Sequence, residues 1–314
     1  MTTPKKMTPS DWEAGRNAQQ VAGQLADALV ARLGLAAQID PLAIGESERR
    51  FLRAGGADLG SRYDGKLKYA REKNRFLLFY NTRYDGGLPA GTHHARTRFS
   101  IAHELGHYFI DHHNQYLRGG GSPHASSSEF ISDNLWEREA DAFAASLLLP
   151  THLAAPVLAG GELTLDRVDR ATALFGTSFV GTAIRGVRLA DLPCAVAGIR
   201  EGRIAWMFPS DALIKAGCYP GKRDLKSPIA RRQWSAFSGG DNGRASEDGK
   251  LGHWFETYER QDDLYDVYVT EQFLPVQIMD TLLVVITMDE EDVIEEEVEE
   301  EEEEDRDRFG RSRG

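Results

Sequence analysis

His103, Glu104, Leu105, Gly106 and His107 spell HExxH. On a helix, side chains four residues apart share a face, so the two imidazoles converge on one point and Glu104 leans toward its open side. Imidazole suits zinc, an ion that imposes no geometry of its own. A catalytic zinc site needs one more protein ligand and a water. Bound zinc lowers that water's pKa toward about 7 and polarises a carbonyl, while a carboxylate such as Glu104 takes the proton and passes it to the leaving amine. The chemistry to expect is peptide hydrolysis. HExxH also describes a helix with two surface histidines, but Phe99, Ile101, Ala102, Phe109 and Ile110 flank this one. They place the motif on a buried helix, where polar groups without partners are costly.

The third ligand has three candidates. Glu137 opens the run Glu137-Arg138-Glu139-Ala140-Asp141, an ExxAD pattern on a separate helix. There Glu137 would complete the metal shell, and Asp141, one turn on, would accept a hydrogen bond from a ligand imidazole such as His103. The same Glu137 also fits an ordinary first-turn acid favoured by the helix dipole. His113 is the rival, because His103 to His113 has the HExxHxxGxxH spacing, yet Ile110 stands where that pattern turns on glycine. With Ile110 the helix is expected to continue and carry His113 away. Glu139, two positions from Glu137, is the remaining option. His93, His94, Tyr108 and His112 lie within sequence reach, and spacing selects none of them.

The elements around the motif follow from periodicity. Asp11 to Leu35 carries Val21, Leu25, Ala28, Leu29 and Leu33 at helical spacing and ends near Gly34. Lys66 to Tyr69 and Arg75 to Tyr80 have the texture of strands in a small sheet. Arg98 to His113 is a helical run, and Gly119 to Ser128, GGGSPHASSS, is a loop. Leu135 to Leu149 is a second strong helix stopped by Pro150. Leu163 to Phe175 and Ser178 to Leu189, joined by Gly176 and Thr177, outline a helical hairpin. Beyond Pro193 short apolar runs alternate with turns: Cys194 to Ile199, Arg203 to Phe208 across Glu201-Gly202, Tyr265 to Val269 and Leu282 to Thr287. Gly239 to Gly252 is polar and Gly-rich, and is expected to be a long loop. The expected fold is α+β: a zincin-like helical domain with a small β-sheet and the hairpin 163–189 over residues 1–190, then a mixed strand-rich C-terminal domain over 191–288.

Composition narrows the setting. The formal charge of -12 is concentrated in residues 289–314, where fifteen carboxylates face four arginines. That tract cannot bury enough apolar surface to offset its ordering entropy and is expected to be a disordered, solubilising tail. The remaining body is nearly neutral, which argues against direct DNA binding, since nonspecific affinity comes from Lys and Arg on phosphates. Cys194 and Cys218 are the two cysteines, and neither sits in a CxxC pair, so a reducing compartment is expected. The polar start lacks the apolar core of a secretory signal, and the longest apolar runs are too short for a bilayer. A cytoplasmic protein without membrane attachment is the expectation.

Arg98-Phe-Ser-Ile-Ala-His-Glu-Leu-Gly-His107, Glu137-x-x-Ala-Asp-x-Phe-Ala144 and Leu147-Leu-Leu-Pro150 together resemble the ImmA/IrrE metallopeptidases, a gluzincin-like family. The resemblance covers about residues 60 to 190 and is more specific than HExxH alone. It implies Zn2+ held by His103, His107 and Glu137, with Glu104 as the general base. It also implies a cytoplasmic protease that cleaves a helix-turn-helix repressor and so relieves transcriptional repression under stress or on induction of a mobile element. Some members carry a GAF-like sensor domain, for which the residues beyond Pro193 offer no motif. Two other readings accompany it. One is a regulator that keeps zinc for its fold and binds a partner or DNA through the hairpin, without proteolysis. The other is a toxin-antitoxin or phage-defence protein that docks through its acidic tail.

Overall fold

The computed structural model of the chain describes residues 9–122, 125–126, 134–221, 223–257 and 266–288. The acidic tract 289–314 and part of the GGGSPHASSS segment lie outside them. Spatial contacts divide the chain into two compact units, 1–154 with 172–181, and 155–171 with 182–314.

The first unit opens with α1 (Pro9–Leu33), closed by Gly34 at φ 63, a left-handed conformation that glycine adopts without cost. Then comes α2 (Pro41–Ser47), where Asp40 accepts the Leu42 N–H at 2.9 Å and Pro41 supplies a ready-set first position. Three strands follow: β1 (Leu52–Ala57), β2 (Gly65–Ala70) and β3 (Arg75–Asn81). With the short β4 (Ala125–Ser126) they form a sheet of order β1-β3-β2-β4. β1 runs parallel to β3 with Leu52 opposite Phe76, and β2 runs antiparallel with Gly65 opposite Tyr80. β1 was not expected. Its sequence LRAGGA buries only Leu52, so it lacks the alternation that marks a strand.

The helical run expected over 98–113 is two helices. α3 (Ala95–Phe109) ends at Ile110, whose φ −74 and ψ 115 are extended, and α4 (Asp111–Arg118) starts at once. The expectation that Ile110 continues the helix is therefore corrected. Buried at 5% exposure, its side chain fills the core from a turn that glycine is not needed to make. α5 (Leu135–Leu148) is capped by Asn134, which accepts the Trp136 N–H at 3.1 Å, and α6 (Thr151–Leu158) follows Pro150. The core lies where α3 packs between the sheet and α5, with α1 covering the far side of α5. Phe76 and Phe143 are fully buried there. Each contributes about 2–3 kcal/mol of apolar burial.

The hairpin helices are α7 (Leu165–Phe175) and α8 (Phe179–Leu189). In the second unit the Leu165 N–H donates to the buried Gln272 Oε1 at 3.1 Å. The strands there are β5 (Cys194–Arg200) and β6 (Arg203–Pro209), joined through Glu201 and Gly202 at φ 51 and 69, the paired positive angles of a tight hairpin turn. After α9 (Asp211–Lys215), β7 (Cys218–Pro220) and α10 (Pro228–Ser238) come β8 (Ala245–Lys250), β9 (Phe255–Thr257), β10 (Tyr268–Val276) and β11 (Thr281–Thr287). Five of these strands form an antiparallel sheet of order β6-β5-β11-β10-β8, and β7 pairs with β9. The loop expected over 239–252 is corrected: residues 245–250, ASEDGK, are the edge strand β8. An edge strand with one face in water needs few apolar residues, so polarity hid it. Cys194 and Cys218 are buried and form no disulfide. No single helix among the described residues is long and apolar enough to cross a membrane.

Candidate metal centre

α3 is placed by both ends. At its start His94 accepts the Arg96 N–H, Thr97 Oγ1 donates to Asn81 O at 3.2 Å and Asp85 at 2.8 Å, and Arg96 holds the buried Asp64 at 2.7 Å. Asp64 immediately precedes β2, so this pair fixes the strand's first residue against the helix. Arg98 anchors α3 to the Ile39, Phe175 and Gly176 carbonyls. On its other side α3 meets α5 at Gly106. A Cβ there would lie 3.1 Å from Ala140 Cα and 3.2 Å from its carbonyl oxygen, so the absent side chain sets how closely the helices approach.

That approach brings three donor side chains together. His103 Nε2 lies 3.2 Å from His107 Nε2 and 3.2 Å from Glu137 Oε2, and His107 Nε2 lies 3.6 Å from Glu137 Oε1. Ligands about 2.05 Å from a tetrahedral zinc stand about 3.3 Å apart. The observed separations match that figure, and the donor chemistry, two imidazoles and a carboxylate, is that of an open zinc site. His103 and His107 are buried, and Glu137 is partly exposed, which leaves a side open to solvent. Burial disfavours a charged imidazole at His103, yet Asp141 and Glu137, with Glu104 nearby, outweigh it and push its pKa up to about 10. The local field favours a positive charge at this point, as a cation site requires.

Asp141 Oδ1 is 2.8 Å from His103 Nδ1. Glu104 is fully buried and packs against Gly65 of β2, where a Cβ would fall 2.7 Å from its Oε1. The two rivals for third ligand lie outside the trio. His113 has its Nδ1 3.0 Å from His107 Nδ1, and Glu139 Oε2 is 2.9 Å from His113 Nε2. Both sit behind His107, on the side away from Glu137. The bend at Ile110 brings His113 back, and nothing in local spacing signalled it. Of the nearby residues, His93 pairs with Asp85 at 2.7 Å and His112 with Glu139 at 3.0 Å. Tyr108 bonds Glu48 at 3.1 Å, and burial together with that carboxylate pushes its pKa to about 12.

A motif helix lying on a small sheet, crossed by a second helix that contributes a carboxylate, defines a zincin-like α+β domain. Residues 68–185 match the Peptidase M78 family model, described as an IrrE N-terminal-like domain. The solved structure of a Mycobacterium tuberculosis transcriptional regulator shares the fold, with a TM-score of 0.55 at 13% identity, over 90% of this chain and 81% of that one. No curated protein matches the chain.

Proposed function

We propose that this protein is a zinc-dependent endopeptidase of narrow specificity, with His103, His107 and Glu137 as ligands and Glu104 as general base. The observation that carries the reading is the tetrahedral spacing of three donors drawn from two helices, with a buried carboxylate beside them. Zinc, when bound, supplies a Lewis acid and a water acidified to about neutral pH. The residues do the rest: Asp141 orients His103, Glu104 holds and moves the proton to the leaving amine, and the crowding of Gly65 keeps the Glu104 carboxylate in one position.

The match of residues 68–185 to the IrrE N-terminal-like family model supports a helix-turn-helix repressor as substrate, cleaved in the cytoplasm in response to stress or induction. Two buried cysteines without a disulfide suit that compartment. The purified protein is expected to carry one zinc per chain and to cut a repressor encoded beside its gene. Glu104→Gln is expected to keep the zinc and lose cleavage by about 10²-fold or more. Undiminished cleavage by that variant removes Glu104 from the chemistry.

A second reading, a regulator acting without proteolysis, draws support from the name of the structural neighbour, a transcriptional regulator. It requires duplex binding that weakens steeply as salt rises. A gel shift showing no complex at low salt ends it.

A further inference from the structure

We propose that His113 and Glu139 form a positioning relay behind the metal, holding the His107 imidazole in its ligating tautomer and orientation. The inference rests on the zinc reading above and extends it to two residues that touch neither metal nor substrate.

His107 presents Nε2 to His103 and Glu137, so that nitrogen faces the ion and carries no proton. A neutral imidazole then bears its proton on Nδ1. The group facing that proton is His113 Nδ1, at 3.0 Å, which must accept. With Nδ1 accepting, His113 carries its own proton on Nε2, and that nitrogen points at Glu139 Oε2, 2.9 Å away. One proton assignment thus satisfies the whole chain from His107 to Glu139, and the carboxylate at its end fixes the direction. All three residues are buried, at 0%, 0% and 7% exposure, so water does not substitute for a missing link. Trp136 stacks on the His113 ring at 4.7 Å and 17°, which fixes its plane.

The geometry exists because α3 stops at Ile110. On an unbroken helix, six residues at about 100° each would put His113 some 240° around from His107, away from its back. The consequence is that α5 serves the centre three times: Glu137 in the metal shell, Asp141 behind His103, and Glu139 through His113 behind His107.

His112, His113 and Glu139 also cluster closely enough to hold a cation of their own. Such an ion would take the His113 Nε2 lone pair, force the proton to His113 Nδ1, and set it against the proton on His107 Nδ1. The two arrangements exclude each other.

The test uses the full chain loaded with zinc, its affinity measured by competition with a chromophoric chelator and its fold followed by circular dichroism. His113→Ala leaves the His107 N–H without its acceptor and is expected to weaken zinc about 10–100-fold. Glu139→Gln keeps an acceptor for His113 and is expected to weaken zinc less than His113→Ala does. Nitrogen-15 NMR of histidine-labelled wild type, which needs no variant to fold, is expected to show His113 protonated on Nε2 and His107 on Nδ1. One zinc per wild-type chain with unchanged affinity in both variants, or His113 protonated on Nδ1, overturns the relay while leaving the zinc reading intact. A second zinc equivalent that disappears in His113→Ala overturns it in favour of a second site. Wild type without stoichiometric zinc overturns the zinc reading itself, and the relay with it.

Discussion

Gly65 and Glu104 meet so closely that a Cβ on the first would lie 2.7 Å from Oε1 and 2.9 Å from Cγ of the second. The atoms that would have to yield belong to the flexible end of a side chain, so the fold tolerates the change and the carboxylate does not. Gly65→Ala is expected to leave zinc content and thermal stability near wild type while lowering peptide cleavage by about 10²-fold, as loss of a positioned general base does. Cleavage at the wild-type rate would show that Glu104 acts from a different position.

Gly106 poses the opposite case. Its added Cβ would press on Ala140 Cα and carbonyl oxygen, at 3.1 and 3.2 Å, and backbone cannot step aside. Gly106→Ala is expected to force α3 and α5 apart, cost about 1–3 kcal/mol in urea unfolding, and weaken zinc by moving Glu137 off the histidine pair. Both losses are expected together, because one displacement causes them.

The pKa of His103 near 10 has a signed consequence in protein stripped of zinc. Burial resists the charge, but Asp141 and Glu137 prevail, so the folded state binds this proton more tightly than an unfolded chain, where histidine titrates near 6.5. The resulting stabilisation is complete below about pH 6.5 and is lost as pH rises through about 10. The melting temperature of chelated protein is expected to fall between about pH 7 and pH 10, and Asp141→Asn to flatten that fall. With zinc bound the dependence reverses at the acid end, because protons compete with the metal for the same nitrogens. Equal slopes for chelated wild type and Asp141→Asn would refute the assignment.

In the second unit, Glu271 is fully buried and accepts from Ser227 Oγ and from Trp254 Nε1 at 2.8 Å. Burial raises its pKa against those hydrogen bonds. Ser227 caps α10, so the carboxylate ties that helix to β10. Glu271→Leu strands a buried indole N–H and a hydroxyl and is expected to destabilise by about 1–3 kcal/mol for each. Glu271→Gln, which keeps a carbonyl acceptor, is expected to cost less. Denaturant unfolding that ranks the two variants the other way would assign the stability to packing alone.

The amino-acid sequence by itself determined the features that depend on neighbours a few residues apart. HExxH puts two imidazoles on one helical face whatever surrounds it. The apolar stripes made α1, α3 and α5 legible, and alternation or density of apolar residues exposed β2, β3, β5, β6 and β11. Strands whose sequences carry little apolar signal, LRAGGA and ASEDGK, were illegible because pairing with a neighbour made them strands. The third corner of the centre had three candidates in sequence, Glu137, Glu139 and His113. Only tertiary structure sets Glu137 beside the His103 and His107 Nε2 atoms and His113 with Glu139 at the other ring nitrogen of His107, because that placement depends on how α5 meets α3 at Gly106, a packing of segments about thirty residues apart, and on the turn at Ile110. A helix repeats every few residues and writes that period into the chain. The distance between two helices is set by the side chains that happen to meet, and no local spacing records it.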